Sequence, residues 1–521
     1  MIFSSRLSLV AAVLCCSLSA CGGGSSSSGA TPPVTTPPVV TPPVVVDPPV
    51  VTPPGATDPD WLVYADHCAT PRTGLQPNGL PYYDFQGTLG DELKWVRSFM
   101  DESYLWYKEL PALNMADYRK PVDYFTALKT PLITASGKPK DQYHFTYQSE
   151  VWDTLSATGA MLGYGITWSR STDTSKPRVW SATLVEPGSS AASAGVQRGD
   201  VVQSVDGVDI HDTTTQGQAL LSAALTPSRS GETHTFVMAR EAMSTATPPV
   251  TLTVTLTSTI QVKTPVQNVK VLPTPTGAVG YLQFHDHNAV AEGQLVKAFT
   301  TLKEAAVTDL VLDMRYNGGG YLTIASELAY MIAGPDATTG KTFEKLVGNG
   351  KLKEDPPLAF LSTAYGFVPA ALKRGAVLPY LGLKRVTVLT TAGTCSASES
   401  LINGLRGADI EVNLIGGQTC GKPYAFVPAP NCGTTYFAIQ IQGFNHKGFG
   451  DYADGFSPAC AAGDDLQHAL GDPQEGLLAT ALSYRTDGVC PARPSANRSL
   501  RSAGPTELVR PAVKEIAIYQ R

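Results

Sequence analysis

Apolar residues at Leu93, Val96, Met100 and Tyr104 recur at helical spacing, with Thr88 and Asp91 in capping-box positions ahead of them, so a helix is predicted there. It opens a small helical region over 61–150, whose aromatic residues Trp95, Phe99, Tyr104 and Trp106 read as packing. From Val279 the pattern changes. Val-Gly-Tyr-Leu-Gln-Phe284 alternates as a strand, a helix follows from Gly293 to Ala305, and Asp309-Leu-Val-Leu-Asp-Met-Arg315 is an apolar run of strand length. Asn317-Gly-Gly-Gly320 ends that run, and residues 324–332 return to helical spacing. A strand from Val386 to Thr390 feeds a helix from Ser396 to Leu405, then a strand from Val412 to Ile415 and an alternating run from Thr435 to Ile441. Residues 465–470 and 475–484 read as helical. Strands and helices in alternation predict an α/β core over 270–490 with a largely parallel sheet and its site beyond the carboxyl ends of strands.

Between these regions stand Gly163-Tyr-Gly-Ile166, Val185-Glu-Pro-Gly-Ser-Ser-Ala-Ala-Ser-Ala-Gly195 and Val196-Gln-Arg-Gly-Asp-Val-Val-Gln-Ser-Val-Asp-Gly207. A Gly-x-Gly-apolar loop, a short strand, a small-residue helix and a Gly-Asp turn into an alternating strand resemble a PDZ domain, here over 155–260. The resemblance implies that Gly163, Tyr164, Gly165 and Ile166 present backbone N–H groups to a peptide's terminal carboxylate while the peptide adds a strand to the sheet edge.

Composition changes the picture mainly at the ends. The chain has 521 residues, 43% of them hydrophobic, and a formal charge of −6 without a basic block; this is enough for two or three folded units and excludes nucleic acid as a partner class. Residues 1–20 hold Arg6, an apolar run from Leu7 to Cys16, and Leu18-Ser-Ala-Cys21. This is the form of a lipoprotein signal cut before Cys21, whose thiol is then acylated. Glycine, serine and Thr-Pro-Pro-Val units fill 21–60 as an extended stalk. Residues 491–521 read as a tail. Six cysteines remain in the folded part: Cys68, Cys395, Cys420, Cys432, Cys460 and Cys490. An even set in an exported chain points to disulfides of open connectivity. No Cys-x-x-Cys or His-x-x-x-His spacing points to zinc, and no cofactor is implied.

The chemistry concentrates around Thr391-Ala-Gly-Thr-Cys-Ser-Ala-Ser-Glu-Ser400. Ser396-Ala-Ser-Glu399 alone is a capping box. In its context, helix-start N–H groups such as that of Ala397, a second donor from the Gly318 to Gly320 turn, and Lys422 behind the next strand supply what acyl transfer requires. His285 and His287 are the competing general bases. Asp451-Tyr-Ala-Asp-Gly-Phe-Ser-Pro458 lacks calcium-loop spacing and reads as a turn near the cleft.

Together, Leu310-Val-Leu-Asp-Met-Arg-Tyr-Asn-Gly-Gly-Gly320, Ser396-Ala-Ser-Glu399 and Gly421-Lys422 behind a PDZ-like domain resemble the carboxyl-terminal processing (tail-specific) serine peptidases, from about Gly87 to Tyr484. The resemblance implies a multidomain α/β fold: an N-terminal helical domain, a PDZ-like β-rich domain and an α/β catalytic core. It further implies a Ser396 nucleophile, neutral Lys422 as base, and an oxyanion site from the N–H groups of Ala397 and of Gly319 or Gly320. Two departures stand out: Lys422-Pro-Tyr-Ala-Phe426 puts Phe426 where a polar residue would orient the lysine, and the interval from Ser396 to Lys422 is one residue longer than the common pattern. A disulfide between Cys395 and Cys420, flanking both candidates, is expected to fix the site. The implied protein is an exported endopeptidase, lipid-anchored at the outer membrane, that acts on polypeptides with exposed C-terminal segments. The alternatives are a peptide-binding lipoprotein on the same fold and a hydrolase of another acyl substrate.

Overall fold

The structure is a computed structural model that describes residues 61–76, 79–158, 160–173, 175–241, 249–351, 355–492 and 506–509. The signal segment, Cys21 and the stalk lie outside the described residues. No helix among the described residues is long and apolar enough to cross a membrane.

Helix α1 (Leu89–Ser103) starts where Asp91 N–H donates to Thr88 Oγ1 at 3.2 Å and Thr88 N–H donates to the Asp91 carboxylate at 2.9 Å, which is the predicted capping box. Helix α2 (Pro121–Ala127) and strand β1 (Phe145–Gln148) follow. This region does not close a core of its own. Trp95, Phe99 and Phe125 share one hydrophobic cluster with Phe426 and Phe437, β1 pairs with Thr434–Phe437, and a Cys68–Cys432 disulfide joins the two parts. The boundary at 150 is one of chain order rather than of packing.

The middle of the chain forms an antiparallel sheet of β2 (Ile166–Ser171), β3 (Trp180–Val185), β4 (Val201–Val205), β5 (Thr233–Arg240) and β6 (Val250–Thr257), in the order β6-β5-β4-β3-β2, with α3 (Thr215–Leu225) in between. Tyr164, Trp168, Leu221, Phe236 and Leu256 are buried together as its core.

The third part is a six-stranded sheet in the order β7-β8-β9-β10-β11-β13. Its elements are β7 (Val266–Thr274), β8 (Gly277–Phe284), α4 (Ala291–Glu304), β9 (Asp309–Asp313), α5 (Leu322–Ala333), β10 (Arg385–Thr390), α6 (Ala397–Gly407), β11 (Glu411–Gly416), β12 (Thr434–Phe437), β13 (Cys460–Ala461) and α7 (Gly476–Asp487); β12 belongs to the small sheet with β1. Only β7 runs antiparallel to its neighbour; the other pairs are parallel. Alternation explains how the sheet is covered on both sides. Leu310, Leu312, Val386 and Val388 face the cluster that holds α4, α5 and α6, whereas Val311, Leu389 and Ile415 meet Leu477, Leu478 and Ala481 of α7.

Two expectations need correction. Residues 465–470 are turns, because Asp465 turns its carboxylate to His468 Nδ1 at 2.6 Å and to the Gly476 N–H at 3.2 Å instead of leaving the backbone to wind. The run from Thr435 to Ile441 is not one strand: β12 pairs with β1, and Ile441–Phe444 pairs with Thr342–Val347 in another sheet. Its period of two fits both halves, but they have different partners. At the far end, β14 (Thr506–Val509) adds antiparallel to β2, so part of the predicted tail belongs to the PDZ-like sheet.

Candidate active site

Strands β9, β10 and β11 lie side by side in the same direction, so the loops leaving their carboxyl ends emerge together. Side chains and backbone fasten them: Thr394 Oγ1 donates to Met314 O at 2.9 Å, Cys395 N–H and Ser398 Oγ both donate to Asn317 O at 3.0 Å, and Cys420 N–H donates to Thr394 O at 3.1 Å. Cys395 and Cys420 are joined as the expected disulfide, and a third links Cys460 to Cys490. Cys395, Glu399 and Cys420 stand close enough to hold a metal, but metals take thiolates and these two sulfurs are bonded to each other.

Ser396 sits at the junction of β10 and α6 with φ 61° and ψ −115°, a conformation costing a non-glycine residue about 1–3 kcal/mol. Its N–H donates to Glu399 at 3.0 Å, but the hydroxyl does not complete the capping box. Oγ is buried with no hydrogen-bond partner among the described residues. A strained serine with an uncommitted hydroxyl at a helix N-terminus is suited to attack rather than to capping.

The glycine turn packs directly against it. A Cβ on Gly319, whose φ is +111°, would lie 2.8 Å from Ser396 Cβ and 3.0 Å from Ala397 N, so only glycine allows this approach. The Gly319 N–H is itself engaged, donating to Asn317 Oδ1 at 3.0 Å. The N–H groups of Gly320 and Ala397 carry no hydrogen bond among the described residues. Asn317 is a residue the sequence reading missed: its Nδ2 donates to Phe284 O at 3.1 Å and its Oδ1 lies 3.0 Å from His287 Nδ1. His285 and His287 are buried, which pushes their pKa values down to about 3 and about 4, and neither hydrogen-bonds Ser396.

Lys422 enters through Gly421, where φ is +87° and a Cβ would meet Ala453 O at 2.2 Å. Its side chain is buried, with Nζ 4.3 Å from the Phe426 ring centre and 5.1 Å from that of Tyr143. Tyr143, from the N-terminal region, also donates its hydroxyl to Gly421 O at 3.2 Å. The 451–458 stretch braces the same loop, with Phe456 N–H donating to Thr419 Oγ1 at 2.7 Å.

Glu399 ties the Ser396 and Lys422 segments together. Besides Ser396, its carboxylate accepts Thr419 Oγ1 at 2.5 Å and the N–H groups of Gly421 and Lys422, each at 2.8 Å. Burial pushes its pKa up against these donors. The capping-box motif marked this glutamate; its bonds across to the lysine loop were not visible in the motif.

In the PDZ-like sheet, Tyr164 is buried and donates its hydroxyl to Ala224 O at 2.8 Å, and a Cβ on Gly165 would meet Ser189 Cβ at 2.2 Å. Close packing thus shapes the loop, and the N–H groups of Tyr164 and Gly165 carry no hydrogen bond among the described residues. Ile166 begins β2.

A PDZ domain ahead of an α/β core with these loops defines a serine-type peptidase. The models of the Peptidase S41 N-terminal domain, the PDZ domain and Peptidase family S41 match residues 91–147, 182–229 and 278–448 of this chain. It is similar to a carboxyl-terminal-processing protease of Synechocystis, 24% identical over 67% of this chain and 74% of that one. A chloroplastic C-terminal processing peptidase of Tetradesmus obliquus is 28% identical over 45% of this chain and 46% of its own length. A crystal structure from Bacteroides fragilis, assigned to the S41 proteases, superposes with a TM-score of 0.59 and 25% identity, over 76% of this chain and 97% of that one.

Proposed function

We propose that the protein is an endopeptidase working through a Ser396–Lys422 dyad. The observation that carries this reading is the strained Ser396, its hydroxyl uncommitted, stitched through Glu399 to the loop that delivers Lys422. Ser396 Oγ attacks the scissile carbonyl carbon as neutral Lys422 Nζ takes its proton. The oxyanion is held by the N–H groups of Ala397 and Gly320, with Gly319 supplying the close approach. The intermediate collapses, the amine leaves with the proton from Lys422, and water then releases the acyl group by the same steps. The Gly163–Ile166 loop and β2 capture the C-terminal segment of the substrate by strand addition, in keeping with the names of the relatives.

A tagged-polypeptide cleavage assay on wild type, Ser396→Ala and Lys422→Ala tests the dyad. Both variants are expected to lose cleavage while keeping the fold; activity surviving both substitutions would exclude it. Phe426, its ring centre 4.3 Å from Lys422 Nζ, stands at the position where the resemblance implies a polar residue, and this favours a second reading, a peptide-binding protein with little hydrolysis. Tight peptide binding with no wild-type cleavage would select it.

Lipid attachment at Cys21 and an envelope location, with a periplasm-facing outer-membrane anchor, complete the proposal on the strength of Leu18-Ser-Ala-Cys21. Cys21→Ala should move the protein from the membrane pellet to the soluble envelope fraction, and unchanged fractionation would count against the anchor.

A further inference from the structure

Strand β14 lies on β2 with Thr506 opposite Ser171 and Val509 opposite Trp168. It occupies the edge of the PDZ sheet that the Gly163–Ile166 loop opens, and its antiparallel course points its carboxyl end toward that loop. This is the edge and the direction that a C-terminal peptide takes when it adds a strand. The side chains are seated as well. Val509 packs against the cluster containing Trp168, and Leu508 packs with Leu184, Tyr316 and Leu470. A Cβ on Gly393 would lie 2.9 Å from Leu508 Cδ1, so Leu508 touches the loop that leads into Ser396. The patch it covers is also where the PDZ domain is fastened to the core, through Arg198 to the Tyr316 hydroxyl and to Asp464, each at 2.5 Å.

One side of a sheet edge hydrogen-bonds one strand at a time. We propose that Thr506–Val509 is a tethered competitor in the peptide groove: it excludes the C-terminal segment of a substrate, which is captured at full strength only when this segment leaves. The proposal rests on the reading of the PDZ-like domain as the capturing module. The Cys460–Cys490 disulfide anchors the chain sixteen residues before Thr506, and a ligand on so short a tether acts at an effective concentration of about millimolar. The occupant is nonetheless easy to exchange. Only four residues pair, and the Arg170–Glu507 contact at 2.5 Å is exposed and adds little.

The test uses the Ser396→Ala chain, which should bind without cutting, in three forms: full length, ending at Gly504, and full length with Leu508→Asp. The probe is a labelled peptide ending in Thr-Glu-Leu-Val with a free carboxylate. A groove filled about nine-tenths of the time raises a competitor's apparent Kd about tenfold, so the truncated chain should bind roughly tenfold more tightly and Leu508→Asp should shift the same way. Equal affinity in all three forms overturns the proposal. Binding to none overturns the capture reading instead, and hydrogen exchange then decides the placement of the tail separately. The amides of Ile166–Ser171 should exchange faster in the truncated chain, and unchanged exchange would remove the tail from the groove.

Discussion

Glu399 Oε2 accepts the backbone N–H of Lys422 at 2.8 Å. The same oxygen holds Ser396 N–H at 3.0 Å, so one buried carboxylate sets the distance between the two proposed catalytic segments. Glu399→Gln keeps the volume but turns an NH2 toward N–H donors. It should lower kcat/KM by about a hundredfold, the scale of a 1 Å misplacement, and cost about 1–3 kcal/mol for the unsatisfied donors. Wild-type kinetics in Glu399→Gln would show that the carboxylate positions nothing.

Gly319→Ala and Gly488→Ala separate site from scaffold. Both glycines have positive φ, +111° and +73°, but a Cβ at 319 meets Ser396 at 2.8 Å whereas one at 488 meets nothing within 4 Å. Each should lose about 1 kcal/mol or more of stability from backbone conformation, read by thermal melting. Cleavage should fall steeply only in Gly319→Ala, and equal kinetics in the two variants would refute the close approach.

The Cys395–Cys420 disulfide joins the loop of Ser396 to the loop of Lys422 across 25 residues of sequence. A cross-link of that span contributes about 3 kcal/mol to folding. The double variant Cys395→Ser/Cys420→Ser should lose stability on that order and most of its cleavage, whereas Cys460→Ser/Cys490→Ser should spare kcat. If kcat is intact in the first variant, the bridge is structural only.

Glu327 supplies a pH dependence of stability. Burial and the neighbouring Glu292 push its pKa up from the ordinary 4.5 to about 9. The two carboxylates hold the loop at Tyr365, Gly366 and Phe367 through N–H bonds of 2.8, 2.8 and 2.9 Å. Because the folded pKa is raised, this group's contribution is fully present below about pH 4.5 and is lost as pH rises through about 9. Thermal stability should therefore fall between pH 5 and 9, and Glu327→Gln should flatten the decline by a few °C. Parallel melting curves for the two proteins would rule Glu327 out as the cause.

If Lys422 is the base, cleavage should rise with pH along a limb that Lys422→Arg abolishes, since guanidinium does not deprotonate. A flat wild-type profile would point to another base.

Several features were settled by local pattern. The period of two in β8 and the apolar runs of β9 and β10 fixed a parallel core, because strands buried on both faces need continuous apolar side chains. The order of glycine turn, Ser396 and Lys422 placed the candidate site at strand ends. What depended on distant partners was decided only by folding. Nothing in the motif says that Glu399 reaches Lys422, that Tyr143 crosses from the N-terminal region to Gly421, or that Asn317 takes up the Gly319 N–H. The same holds for Thr506–Val509, whose pairing with β2 joins segments more than three hundred residues apart. Periodicity reports which face of an element is buried; it carries no record of the element against which it is buried.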